Sequence, residues 1–375
     1  MNRWRLSACF VALALLAACA GGGGEPLATS TPASTRTATP PPTTEPAGTP
    51  APAPEIDLPE GFSAHVVAKG LRNPAAIALS PEGAVFVAQT VGSIVRLADA
   101  DGDGFFESRG VVASANQPNG LAFSPQGELY VSSRGRVSIL RDPDGDGAYD
   151  AARDIITGLP NGRHQNNGIT FGPDGKLYVT NGSTCNECDE DDERSATILQ
   201  ANADGSDLRV YARGLRNSYD LVFDPQGRLW ATDNGSDPPC NTIDELNLIE
   251  DGGDYGWPYS PSCDSFQSGI APVADLGFNT ASTGIDYYDG VQLPPPYRDG
   301  FFITLYGSLG FAPEPAGRTL VWVTVSESAG GLEATVEDFG TGFVRPIDVV
   351  MDRDGTLLVA DWGTGRIYRI AYAGA

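Results

Sequence analysis

The chain has 375 residues, among them 46 Gly and 29 Pro, and sets 24 Lys and Arg against 48 Asp and Glu for a formal charge of −24. That acidity argues against a nucleic-acid binder, which needs a basic surface to displace counterions from phosphate, and against a polybasic membrane-surface protein. One residue in five is a turn former, and the length suffices for one large all-β domain or two ordinary domains with a sizeable core.

Residues 1–18 open on Arg3 and Arg5 and continue as an apolar run over 6–18. The run is too short to span a bilayer and reads as an export signal. Leu16-Ala17-Ala18-Cys19 looks like a bacterial lipoprotein cleavage box, which implies that Cys19 carries lipid and that the membrane is reached through that anchor only. A plain secretory signal is the alternative. Residues 19–54 are almost entirely Gly, Pro, Thr, Ser and Ala, a composition that cannot pack. They are expected to form a tether of roughly 30–35 Å, leaving residues 55–375 as the globular domain. The expected location is an exported, lipid-anchored site facing the periplasm or the cell exterior.

From residue 62 onward the chain is a repeat. Its first two strands recur as AAIALSPEGAVFVAQ, NGLAFSPQGELYVSS, NGITFGPDGKLYVTN, YDLVFDPQGRLWATD and IDVVMDRDGTLLVAD, with a looser copy from TGIDYYDG to YRDGFFITLYG. The turn glycines are Gly83, Gly127, Gly175, Gly227, Gly300 and Gly355, spaced 44 to 73 residues apart. Third strands follow as GSIVRL, GRVSIL, ATILQ, DELNLI, RTLVWV and GRIYRI. Short β-branched or aromatic runs bounded by turn residues are strands, and six such units predict an all-β, six-bladed β-propeller. The strand at 62–67 is expected to complete the last blade and close the ring. A β-sandwich is the alternative fold.

In a propeller the start of the innermost strand and the end of the second strand lie on one face. The first position gathers Asn73, Gln117, His164, Arg216, Asn217, Ser282 and Arg345; the second gathers Gln89, Arg134, Asn181, Asp233, Tyr306 and Asp361. Arginines concentrated on an acidic domain point to an anionic ligand. Of the two histidines, His65 falls in the 62–67 strand, so His164 alone is available in the ring as a base. A polar blade-top face that binds nothing is the plainer reading.

At these residues the chain resembles the soluble glucose/sorbosone dehydrogenase family, which uses pyrroloquinoline quinone (PQQ). The resemblance spans roughly residues 56–372. It rests on GLPNGRHQNNGITFGPDGKLYVTNG (158–182), GLRNSYDLVFDPQGRLWATDNG (214–235) and DELNLIEDGGDYGWP (244–258). It implies a six-bladed propeller, PQQ and calcium as cofactors, a sugar substrate such as an aldose, and His164 as general base, with the electron acceptor left open. It also implies cofactor contacts from Gln117, Arg216, Asn217 and Arg345, and calcium held by the backbone carbonyls of Gly235 and Ser236. Asp244 and Glu245 offer a further calcium pair, as in relatives. Three positions depart from the family: Arg163 stands where Asp often precedes the base, Tyr306-Gly307 where some relatives place Lys or His, and Ile347 where a second Arg is expected. The departures leave two other readings: a non-catalytic surface propeller that binds carbohydrate or protein, and a calcium-dependent lactonase, which would need a carboxylate cage in the channel.

Two turns, Asp99-x-Asp101-x-Asp103-Gly104 and Asp142-x-Asp144-x-Asp146-Gly147, match the front half of an EF-hand loop. Glu107 and Asp150 stand at the ninth positions, and neither loop has Glu at the twelfth. A structural calcium or a solvated acidic turn fits either loop. Cys185, Cys188, Cys240 and Cys263 remain once Cys9 leaves with the signal and Cys19 takes lipid. An even number in an exported domain predicts two disulfides, and of three connectivities 185–188 with 240–263 is the one expected.

Overall fold

The second strand of each repeat begins as an apolar run without alternation, because both of its faces are covered, and in five of the six it ends on polar residues. In the computed structural model, which describes residues 43–44, 50–238, 240, 242–258, 269–308 and 316–374, every residue of Val85–Gln89, Leu129–Ser133, Leu177–Asn181, Leu229–Asp233, Gly300–Leu305 and Leu357–Asp361 is buried. Each run lies inside one sheet, sandwiched between neighbouring sheets, where alternation is lost. The outermost strands Ser108–Ser114, Ala151–Thr157 and Arg209–Arg213 are mostly half-buried or exposed. The signal segment 1–18, Cys19, most of the tether and Cys263 lie outside the described residues.

The sheets are six, each an antiparallel meander, and their innermost strands contact one another in a closed ring. Blades 1 to 6 begin at Pro74–Leu79, Pro118–Phe123, Asn166–Phe171, Ser218–Phe223, Ser282–Tyr288 and Pro346–Met351. The fold is the expected six-bladed β-propeller. Phe62–Ala68 pairs with Arg366–Tyr372 as the outer strand of blade 6, so the ring is closed by the N-terminal strand. Ala51–Pro52 pairs with this closing strand and Ala53 is buried, so the folded part begins ahead of residue 55.

Recurrent aromatics join the blades. Phe86 meets Phe123, Tyr130 meets Phe171 and Tyr178 meets Phe223, edge to face at ring separations of 5.2, 4.9 and 5.1 Å, each a packing term of about 0.5–1.5 kcal/mol beyond burial. Blade 5 departs from the repeat. Five of the turn glycines have φ between +73° and +90°; Gly300 instead opens a strand, and the left-handed residue is Asp299 at φ +59°. A side chain at Gly300 would meet the Val323 carbonyl at 2.6 Å.

The innermost strands of blades 4, 5 and 6 carry Asp220, Asp286 and Asp348 into the central channel. Each carboxylate accepts a backbone N–H from the next blade: Ile285 to Asp220 at 3.3 Å, Met351 to Asp286 at 2.7 Å, Ile77 to Asp348 at 2.6 Å. Burial raises Asp220 and Asp286 to about 7 and holds Asp348 well above the ordinary carboxylate range. The channel is therefore more acidic than the two ring aspartates suggested, but these carboxylates act as clamps between blades.

Candidate active site

The entry turns of the innermost strands are fixed by the ends of the second strands. Asp233 accepts the backbone N–H groups of Arg216 at 2.9 Å and Asn217 at 2.7 Å. Asp361 does the same for Val344 at 2.8 Å and Arg345 at 3.2 Å, and Gln89 for Arg72. Backbone donors occupy these acceptors, so Asp233, Asp361 and Gln89 shape the rim.

A cleft of ≈ 320 Å³ opens between the entries of blades 3, 4 and 5. His164, Arg216, Asn217, Gly235 and Asp244 line it together, with Arg163 and Asp237. His164 Nδ1 stands 2.9 Å from Ser183 Oγ, and that hydroxyl donates to the Cys185 carbonyl at 2.7 Å. A carbonyl can only accept, so the Ser183 proton is committed there and its oxygen accepts from Nδ1–H. The remaining ring nitrogen, Nε2, keeps its lone pair. Burial first, then Arg216 and Arg163, pushes His164 down to about 3, so the ring is neutral across the physiological range. Gly182 makes the juxtaposition possible: a Cβ there would lie 2.6 Å from His164 Cβ and 2.7 Å from Asn217 Oδ1.

Arg216 is 2% exposed. Its guanidinium donates to Asn186 Oδ1 at 2.7 Å and to the Asn186 and Asn234 carbonyls at 3.2 Å, and pairs with Asp237 at 3.0 Å. Arg163 shares the same Asp237 carboxylate. Two guanidiniums thus share the Asp237 carboxylate, and Asp244 is the second acid of the lining. Asp244 accepts from Gly235 N–H at 2.8 Å, Thr280 Oγ1 at 2.8 Å and Ala281 N–H at 2.6 Å, so it pins the Gly235 loop; burial raises it to about 6. Ser236 donates from its backbone to Thr242 Oγ1 at 2.6 Å and from its hydroxyl to Glu187.

Other candidates stand apart. Glu245 accepts from Asn247 at 3.2 Å and does not line the cleft that Asp244 lines. Gln117 sits at the blade 2 entry on left-handed backbone (φ +49°), bonded to Arg134 at 3.0 Å. Arg345 lies 4.9 Å from the Tyr306 ring and donates to the Gly307 and Ser308 carbonyls at 2.8 and 3.0 Å; Ser308 reaches the cleft wall. Ile347 is buried in the apolar junction of blades 6 and 1. Cys185–Cys188 is a disulfide, and Cys240 is disulfide-bonded. Ser183, Asn186 and Asp237 escape sequence reading because they come from loops that fold over the rim outside the repeat register.

Solved structures share this architecture. The PQQ domain of pyranose dehydrogenase from Coprinopsis cinerea superposes with a TM-score of 0.71 at 20% identity, over 86% of this chain and 98% of that one. The PQQ-bound aldose sugar dehydrogenase from Streptomyces coelicolor superposes at 0.65 and 23% identity, over 84% and 99%. In sequence, quinoprotein glucose dehydrogenase B from Acinetobacter calcoaceticus is 26% identical over 202 residues, 46% of this chain and 39% of that protein. The chain spans about half or less of the length of the curated relatives it matches. The family model that matches carries no activity in its description: over residues 51–368 the chain belongs to the family described as a domain of unknown function, DUF7133.

Proposed function

We propose that the protein is a PQQ-dependent dehydrogenase of an aldose or related sugar, with His164 as general base. The observation that carries the reading is an imidazole whose Nδ1 stands 2.9 Å from the Ser183 hydroxyl, in a cleft lined by Arg163 and Arg216. The donor set fits the cofactor: two guanidiniums and the Asn217 amide suit a planar tricarboxylate, and a cleft of ≈ 320 Å³ lies in the range of small-ligand sites. Arg163, Arg216 and Asn217 would hold it, with Arg345 and Gln117 at the rim; the Gly235 carbonyl would hold its calcium, with the second lone pair of the Ser236 carbonyl, which already accepts from Thr242 N–H at 3.1 Å. Bound PQQ supplies the hydride acceptor.

The chain's own part is proton chemistry and position. His164 Nε2 takes the proton of the sugar hydroxyl, and Ser183 keeps the accepting nitrogen directed at the cleft. An anion bound against Arg163 and Arg216 offsets the charges that depress the imidazole and raises its basicity. Asp244 holds the Gly235 loop in place, and the Asp237 bridge sets the spacing of the two arginines. The reading also includes export and a lipid anchor at Cys19, with electrons passed to a membrane or soluble acceptor. The lactonase reading is disfavoured because the channel carboxylates Asp220, Asp286 and Asp348 are spent on backbone N–H groups. His164→Ala tests the assignment: sugar-dependent dye reduction should fall about 10²–10⁴-fold with the fold retained, and near-full turnover would remove His164 from the role.

A further inference from the structure

The two aspartate loops have the same sequence pattern, but the structure separates them. In the first, between the third and fourth strands of blade 1, oxygens of Asp99, Asp101, Asp103 and Glu107 lie within 4.8 Å of one another. Glu107 is only 7% exposed, and its Oε1 is fully buried with no hydrogen-bond partner, while Oε2 accepts from Ala100 N–H at 2.8 Å. A buried carboxylate oxygen without a donor is costly unless something positive meets it. In the second loop, between the corresponding strands of blade 2, the cluster is Asp142, Asp144 and Asp146 alone, and Asp150 at the position of Glu107 is exposed. We propose that Asp99, Asp101, Asp103 and Glu107 form a calcium site and that the second loop does not.

Four converging carboxylate oxygens suit a hard divalent cation of six to eight oxygen ligands. The fourth arm is a Glu, whose extra methylene lets a residue rooted in the core reach the loop, where Asp150 turns to solvent. The site also has a structural consequence. Phe105 beside it is buried, Phe106 donates its N–H to the Val67 carbonyl of the closing strand at 2.8 Å, and Arg369 of blade 6 lies over the Phe106 ring at 5.7 Å. Calcium here ties blade 1 to the strand that closes the ring. The loop lies on the face opposite the His164 cleft, and the inference does not rest on the dehydrogenase reading.

The test is calcium binding by the chelator-stripped, PQQ-free protein, measured by calorimetry beside the thermal midpoint. One site should fill, with an affinity lowered at least tenfold in Glu107→Gln and in Asp101→Asn and unchanged in Asp144→Asn. Calcium should raise the midpoint of the wild type and of Asp144→Asn, but not that of Glu107→Gln. Asp101 is exposed, so its variant stays informative if Glu107→Gln folds poorly. Undiminished binding in both first-loop variants would overturn the assignment. So would the absence of binding up to about 10 mM calcium, beyond the weakest known modules.

Discussion

Replacing Ser183 by Ala removes one oxygen and no volume the core depends on, yet it acts on the base. Ser183 is fully buried, with its oxygen 2.9 Å from His164 Nδ1 and 2.7 Å from the Cys185 carbonyl. Without it, Nδ1–H has no acceptor, and a buried unpaired donor costs about 1–3 kcal/mol. That cost is what favours the tautomer with a free Nε2, so its loss shifts the tautomer ratio by a factor of about 5–150. Turnover should fall about 10–100-fold with KM little changed, because Ser183 lies behind the ring and not in the cleft. Nitrogen-15 NMR of the imidazoles gives a readout independent of activity, and with only two histidines in the chain assignment is simple. Wild-type His164 should carry its proton on Nδ1, and Ser183→Ala should show exchange between tautomers. A wild-type proton on Nε2, or full turnover in the variant, would refute the reasoning.

Gly182→Ala should lower stability by about 1–3 kcal/mol and disturb PQQ binding, since its Cβ would press on His164 and Asn217 at 2.6 and 2.7 Å; thermal melts and a cofactor titration check both. Arg216→Ala takes the donor from the Asn234 carbonyl and one of two donors from the Asn186 carbonyl, so the protein should lose about 1–3 kcal/mol and need more PQQ for reconstitution. Stability should fall as pH rises from 5 to 8. Burial raises Asp220, Glu245 and Asp286 to about 7 and Asp244 to about 6, so the folded state holds protons that the unfolded chain releases near pH 4, and that advantage is lost as pH climbs through 7. His164, held near 3, runs the other way and costs stability below pH 6.5, but four groups outweigh one. Urea midpoints at several pH values decide it, and a midpoint rising toward pH 8 would contradict the buried-carboxylate account.

The repeat was legible because each blade is built from the same strand–turn–strand solution, and the register alone brought His164, Arg216 and Asn217 to one face. It misplaced the blade 5 turn, where Asp299 and not Gly300 takes the left-handed conformation. Asp220, Asp286 and Asp348 passed as ordinary strand residues because their partners are backbone N–H groups one blade away, a relation no local pattern carries. The cleft's supporting shell was hidden for a similar reason: Ser183 and Asp237 come from irregular loops, and their contacts depend on how those loops cross the rim. The paired aspartate loops were visible as motifs, with Glu107 in one and Asp150 at the matching position of the other, but that Glu107 is buried and Asp150 exposed emerges only in the fold.

The most direct test of the central claim is reconstitution. The protein is titrated with PQQ in the presence of calcium, followed by absorbance, and assayed by dye reduction against a panel of aldoses. Saturable binding at micromolar PQQ, sugar-dependent reduction by the wild type, and retained binding with turnover lowered about 10²–10⁴-fold in His164→Ala are expected. No binding at micromolar PQQ would contradict it, and would mean that Gly307 and Ile347 have cost the propeller its cofactor.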